Sequence, residues 1–244
     1  MSSRGASSTA PRRLRAHEGR GGAVRSEDAG MLRIAVLVGS PRKNGACARF
    51  AAELEDALHG AGAVAELLFL SDYEVLGCVG CGACERTGAC VLDAREGAGG
   101  CPGFACLLER LQAADALALV APVYFSGPPS QLKAVLDRMQ PLWCQRYLLG
   151  QRPVRPLERR RPLDLFVVGA GGDPFGYDAL VGCARSSLRM ADFELHAMHD
   201  LVGFGQAPRP GCAYGPDFDA ALLSNLSTWA SGLVHAARAA HDLC

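Results

Sequence analysis

The chain has 244 residues, 49% of them apolar, and its 25 basic side chains balance 25 acidic ones. That length supports one large domain with a well-buried core, and the absence of net charge argues against a nucleic-acid partner or an electrostatic hold on a membrane surface. No apolar run reaches the length of a membrane-spanning helix or forms an export-signal core near the start, so no membrane association and a cytoplasmic location are expected.

Residues 1–30 read as a separate, disordered N-terminal extension. They carry Arg4, Arg12, Arg13, Arg15, Arg20 and Arg25 with almost no large apolar side chain, too little to offset the entropy of ordering. Met31 then reads as the working start, and Glu18, Glu27 and Asp28 argue against an organellar transit peptide. From Met31 onward, buried strands alternate with amphipathic helices. Leu32 to Val38 is a strand with too little polarity to face water, as in a parallel sheet. A helix follows with Cys47, Phe50, Ala51, Leu54, Ala57 and Leu58 on one face, ended by Gly60 and Gly62. Val64 to Leu70 is the second strand. A cysteine-rich loop over 77–102 then stands where a simple α/β unit would pass directly into its helix. Phe104 to Ala114 is helical, Asp115 to Ala121 is the third strand, and Gln131 to Met139 is helical. The Arg- and Pro-rich stretch from Trp143 to Pro162 reads as a solvated connection, with a cationic lip for a phosphorylated cofactor such as NADPH as the alternative. Leu163 to Gly169 is the fourth strand, Tyr177 to Met190 a helix, and Glu194 to Val202 a weak fifth strand. Phe218, Leu222, Leu226, Trp229 and Leu233 form the face of one last helix. The pattern predicts an α/β fold, a doubly wound five-stranded parallel sheet in a single domain over 31–244, with its ligand at the carboxyl ends of the strands.

Two motifs carry chemistry. Gly39-Ser-Pro-Arg-Lys-Asn-Gly45 joins the first strand to the first helix. N–H groups at a helix start are unpaired and sit at the positive end of its dipole, so an anion fits there. Ser40 and Asn44 add neutral donors and Arg42 a charged one. The run matches neither the dinucleotide G-x-G-x-x-G nor the Walker pattern; an ordinary βα turn rich in small polar residues is the plain alternative. The second motif is Cys78, Cys81, Cys84 and Cys90, spaced C-x2-C-x2-C-x5-C. The first three match the hairpin that wraps a cubane in bacterial ferredoxins. Zinc is a rival, although its ligand pairs are ordinarily a dozen or more residues apart. A third reading is that the thiols only pack or rarely cycle. Cys101 and Cys106 are left as spares. His196 and His199 form no constellation and read as satisfied surface or core histidines, and no Ser–His–Asp arrangement can be assembled.

The loop GSPRKNG, the cysteine run and APVYFSGPPSQLKAVLDR, in that order over about Leu32 to Gly205, resemble the flavodoxin-fold NAD(P)H-dependent FMN reductases, and among them the iron–sulfur flavoproteins. The resemblance implies a flavodoxin-like FMN-binding domain whose first loop holds the FMN phosphate through Ser40, Arg42 and Asn44. Where the family usually has Ser or Thr at the start of the first helix, this chain has Cys47, a poorer phosphate donor. Pro122, Val123, Tyr124, Phe125 and Ser126 fall beside the isoalloxazine, with the main chain of Val123 to Ser126 reading its polar edge and the aromatic rings packing on its face; both aromatics lying in the core is the alternative. Gly171 and Gly172 border the flavin from the third loop, or make a plain tight turn. Cys78, Cys81, Cys84 and Cys90 correspond to the 4Fe-4S ligands of that branch, and Arg95 to Pro102 looks like an insertion. Lys133 and Arg138 match an LK…DR pattern and are expected to pack or pair at the subunit surface.

The activity implied is oxidoreduction through FMN, with NAD(P)H as co-substrate and a flavin, quinone or similar small molecule as acceptor. A 4Fe-4S cluster could pass single electrons, for instance to a redox protein such as ferredoxin. A homodimer or homotetramer is expected, and no catalytic acid or base is needed. Two other classes remain: a passive flavin and iron–sulfur electron carrier, and a zinc-stabilised, non-enzymatic flavodoxin-like module.

Overall fold

The segment Arg33–Val38 (β1) has five successive buried apolar residues, and side chains alternate across a strand. Ile34, Val36 and Val38 therefore enter one core layer, while Ala35 and Leu37 enter the other. A strand that feeds two cores must lie inside a sheet covered on both faces. In the computed structural model, which describes residues 30–97, 100, 102–152, 160–208, 210–211 and 213–241, β1 does so. It pairs in parallel with Val64–Phe69 (β2) on one side and Ala116–Pro122 (β3) on the other. Arg161–Gly169 (β4) follows β3, and Phe193–Val202 (β5) forms the far edge. The order is β2-β1-β3-β4-β5, all parallel, the flavodoxin-like arrangement the sequence predicts. No helix among the described residues is long and apolar enough to cross a membrane. Of the predicted N-terminal extension only Gly30 is described; residues 1–29 lie outside the described residues.

The helices divide between the faces. Ala46–Gly60 (α1) and Leu226–His241 (α8) cover one layer, through Phe50, Leu54 and Leu58 from the first and Ala230, Leu233 and Val234 from the second. Phe104–Gln112 (α3), Ser130–Asp137 (α4), Gln140–Tyr147 (α5) and Asp178–Leu188 (α6) cover the other. Ala83–Thr87 (α2) is a single turn within the cysteine loop. Pro216–Leu223 (α7) precedes α8.

Two expectations change. The single last helix is two, because Ser224 and Asn225 turn their side chains back onto the Ala221 carbonyl at 2.7 and 3.2 Å; such local bonds compete with continuing a helix. The first part of the Arg- and Pro-rich stretch, Trp143 to Tyr147, is not a solvated connection. Trp143 to Tyr147 completes α5, with Pro141 in its first turn, and Arg146 is buried, its guanidinium 2.5 Å from Asp192.

Asp192 gathers several cations. Its other carboxylate oxygen takes Arg152 at 2.7 Å, its carbonyl accepts the Arg161 N–H at 2.9 Å, and its own backbone is left-handed at φ 65. Burial pushes its carboxyl up, but the hydrogen bonds and charges of Arg152 and Arg146 outweigh that and hold it below the usual carboxylate range. Arg160 pairs with Glu194 at 2.7 Å, and Arg161 stands over the Phe193 ring and donates to the carbonyls of Leu111, Gln112, Ala114 and Ala191. These contacts lie where β4 and β5 begin. A ligand belongs at the opposite, carboxyl edge, so Arg146, Arg152, Arg160 and Arg161 do not form a cationic lip for NADPH. Arg155 and Arg159 lie outside the described residues.

Candidate functional site

β1 and β3 are neighbours in space although β2 and three α-helices, α1 to α3, separate them in the chain. The connections leaving β1, β3 and β4 therefore emerge side by side, at the switch point where open α/β sheets take their ligands. Backbone bonds lock them together. Gly39 N–H donates to the Val120 carbonyl at 2.9 Å, and Val123 N–H donates to the Val168 carbonyl at 2.9 Å.

In the first loop, the Ser40 side chain is buried and its hydroxyl accepts the Arg42 N–H at 3.2 Å, which shapes the turn. Arg42 and Asn44 stand exposed. Gly45 precedes α1 without a side-chain cap, and the helix has no acidic residue in its first turn. Its opening N–H groups thus keep their positive character for a partner from outside. Lys43 turns away to pair with Asp72 after β2. Cys47 faces inward; burial pushes its thiol up to about 12, so it remains a neutral SH.

The second loop is a tight turn. Tyr124 and Gly127 exchange N–H···O bonds at 2.9 and 3.0 Å around Phe125 and Ser126, whose φ values are 49 and 64. Two successive positive φ angles define a type I′ turn, a geometry that favours Gly, Asn or Asp. Placing Phe and Ser there stores strain of about 1–2 kcal/mol per residue. Pro122 is buried at the end of β3 and Val123 packs on the core, but Tyr124 is 41% exposed and Phe125 fully so. The alternative that both aromatics are core residues therefore fails.

Ser126 ties this turn to the third loop. Its hydroxyl donates to the Phe175 carbonyl at 3.2 Å, and its carbonyl accepts the Leu180 N–H at 3.0 Å. Phe175 is 79% exposed, a third aromatic at this edge that the sequence reading did not single out. Gly171 has φ 76, and a Cβ there would stand 2.9 Å from the Tyr214 hydroxyl. The close approach is thus to Tyr214, which nothing in the local sequence announces. Gly172 faces open space.

The cysteine loop opens elsewhere, over α4 and α5. Cys78, Cys81, Cys84 and Cys90 all line one cavity of about 370 Å³, which Asp137 and Gln140 also line. Cys78 and Cys81 are exposed, Cys84 and Cys90 half-buried. Gly88, at φ 70, lets the loop close on α5: a Cβ there would fall 2.5 Å from the Gln151 side chain, and Gln145 donates to its carbonyl at 2.7 Å. Among the described residues no three His, Cys, Asp or Glu side chains gather around a point that one metal ion could occupy. A cubane makes a different demand, since its four thiolates each take a separate iron around a shared body. Four thiols spread around one cavity fit that donor set. The Sγ of Cys84 lies 3.7 Å from that of Cys144, fully buried on α5. Burial first, then the hydrogen bond and charge of Cys144, push the Cys84 thiol up to about 11.

Arg138 holds this loop in place. It is not at a subunit surface: its side chain is 1% exposed and pairs with Glu96, also 1% exposed, and with the more open Asp93. It also donates to the Leu76 carbonyl at 3.0 Å and stands 4.8 Å from the Phe104 ring centre. Glu96 accepts two further N–H bonds, from Leu76 and Phe104, at 2.8 Å each. The segment that reads as an insertion thus supplies the anchor of the cysteine loop. Lys133 is exposed and pairs with Asp137 one turn away. His196 and His199 are satisfied, as expected, by buried Asp164 of β4 at 2.8 and 3.0 Å.

A model of the family described as NADPH-dependent FMN reductase matches residues 32–209. An iron-sulfur flavoprotein of Methanocaldococcus jannaschii is 32% identical over 113 residues, covering 46% of this chain and 53% of that protein. Another, from Methanosarcina thermophila, is 33% identical over 107 residues, covering 44% and 52%. The chain spans about half the length of these curated relatives. Among solved structures, the NAD(P)H:quinone oxidoreductase from Methanothermobacter marburgensis superposes with a TM-score of 0.56 at 16% identity, over 83% of this chain and 99% of that one. RosB bound to 8-demethyl-8-formylriboflavin-5'-phosphate gives 0.58 at 14% identity, over 86% and 81%. These two likenesses establish the shared fold.

Proposed function

Because the chain belongs to the NADPH-dependent FMN reductase family, we propose that it binds FMN, takes electrons from NADH or NADPH, and passes them to a small-molecule acceptor such as a free flavin or a quinone. The observation that carries this reading is the meeting of three loops at the switch point, where the start of α1 has no side-chain cap. Bound FMN supplies hydride and single-electron chemistry that amino-acid side chains lack. The N–H groups opening α1, with Ser40, Arg42 and Asn44, hold its phosphate. Cys47 contributes its backbone and not its neutral thiol. The main chain from Pro122 through Val123 to Ser126 orients the ring, Tyr124 and Phe125 offer aromatic faces, and Gly171 and Gly172 border the third side. No side chain has to donate or accept a proton, so the residues act by binding, orientation and exclusion of water.

Cys78, Cys81, Cys84 and Cys90 would hold a 4Fe-4S cluster; the relatives from Methanocaldococcus jannaschii and Methanosarcina thermophila are named iron-sulfur flavoproteins, without a cluster type. Such a cluster supplies one-electron exchange, which would suit a redox protein such as ferredoxin as a further partner. We place residues 31–244 in one FMN-binding domain that works as a homodimer or homotetramer in the cytoplasm. The test is NADPH oxidation by the FMN-reconstituted chain in the presence of a quinone or free FMN. Sustained FMN-dependent turnover is expected. A single reduction without turnover would mark a passive carrier and refute the enzymatic reading.

A further inference from the structure

We propose that Cys84 and Cys144 form an intrachain disulfide in the cluster-free chain, so that Cys84 has two mutually exclusive partners, cluster iron or the buried thiol of α5. The exclusivity rests on the cluster reading above; the bond itself does not.

The two sulfurs are 3.7 Å apart. A disulfide needs about 2.05 Å, so about 1.7 Å must close, within reach of a side-chain rotation at either cysteine. The pair bridges elements that already pack, since α2 lies against α5 and Gln145 of α5 bonds the carbonyl of Gly88 that ends α2. Access fixes the order of events. Cys84 lies in the cavity wall, half-buried, whereas Cys144 is fully buried and cannot meet a reagent first.

The oxidant is a low-molecular-weight disulfide such as oxidised glutathione. The Cys84 sulfur attacks it, a mixed disulfide forms at Cys84, and one small thiol leaves. The Cys144 sulfur then attacks the Cys84 sulfur, the bond to the small molecule breaks, and the second small thiol leaves. Two protein thiols are oxidised by two electrons, one small disulfide is reduced to two thiols, and the protons pass to the departing sulfurs. Three cavity thiols remain, one fewer than a cubane requires. A small thiol in excess reverses both steps. Cys144 has no place in the C-x2-C-x2-C-x5-C run, and its meeting with Cys84 is visible only in the fold.

The test uses the full-length, metal-free chain, reduced, freed of reductant, treated with oxidised glutathione, alkylated and digested. A parallel sample is loaded anaerobically with iron and sulfide before the same treatment. Mass spectrometry should find a Cys84–Cys144 linked peptide in the metal-free sample and at least tenfold less of it in the loaded one. In Cys144→Ala, the glutathione adduct should stay trapped at Cys84. Alkylation of both Cys84 and Cys144 in the oxidised metal-free chain would overturn the bond. Equal linkage in the iron-loaded sample would overturn the exclusivity. A reduced chain that takes up no iron would refute the cluster reading, while a linked peptide from that same chain would uphold the bond.

Discussion

Replacing Arg138 with Ala should unfasten the cysteine loop at a measurable loss of stability. The guanidinium and the Glu96 carboxylate are each 1% exposed in their side chains. Removing one member of a buried ion pair costs about 3–5 kcal/mol, mainly because the other charge stays buried without its counterion. Glu96 keeps the N–H bonds from Leu76 and Phe104, which places the loss near the lower figure, about 3 kcal/mol. The Asp93 contact adds little, since that carboxylate is 38% exposed and water screens it. Urea unfolding followed by circular dichroism gives the number. Limited proteolysis reports on the loop, with cleavage between 77 and 97 expected to accelerate in the variant. The double substitution Arg138→Met with Glu96→Gln should recover part of the loss, because no charge is then stranded. A loss below about 1 kcal/mol for Arg138→Ala, within the range of an exposed ion pair, would refute the claim that Arg138 anchors the loop.

Phe125→Gly should leave stability unchanged or raise it by about 1 kcal/mol, since glycine relieves the left-handed strain and the exposed ring gives up no buried area. FMN-dependent turnover should fall at the same time; denaturation and kinetics on one preparation check both, and clear destabilisation would contradict the strain. Asp192 makes stability depend on acid pH. Its carboxyl lies below the usual range, so its contribution is fully present above about pH 4, the ordinary aspartate value, and is lost as pH falls through the lower folded value. Asp192→Asn should flatten that acid limb in a pH series of urea midpoints and lower stability at neutral pH, because buried Arg146 loses its carboxylate.

The sheet could be read from the sequence because its physics is local. β3 is apolar throughout and β1 is apolar after Arg33, and only strands covered on both faces tolerate that. The first loop was legible for the same reason, since a polar run directly after such a strand must lie at the carboxyl edge. What escaped depends on distant partners. Arg138 reads as a surface cation until Glu96 is brought to it, and Arg146 until Asp192 arrives from 46 residues away. The strained turn escaped because Phe-Ser lacks the Asn-Gly signal of a type I′ turn. Cys144 lay outside the cysteine run, and Tyr214 and Phe175 join the third loop only through folding. The final helix reads as continuous because Phe218, Leu222 and Leu226 keep helical spacing across a break set by two side chains, Ser224 and Asn225.

In the proposed binding mode, the anionic end of a mononucleotide docks at the uncapped start of α1. The measurement that tests it most directly is fluorescence titration of the flavin-free chain with FMN and with riboflavin, for the wild type and for Arg42→Ala. The wild type should retain FMN and bind it far more tightly than riboflavin, and Arg42→Ala should narrow the gap by roughly tenfold, as for loss of a charged hydrogen bond that water partly screens. A chain that retains neither flavin, or binds the two equally, would contradict it.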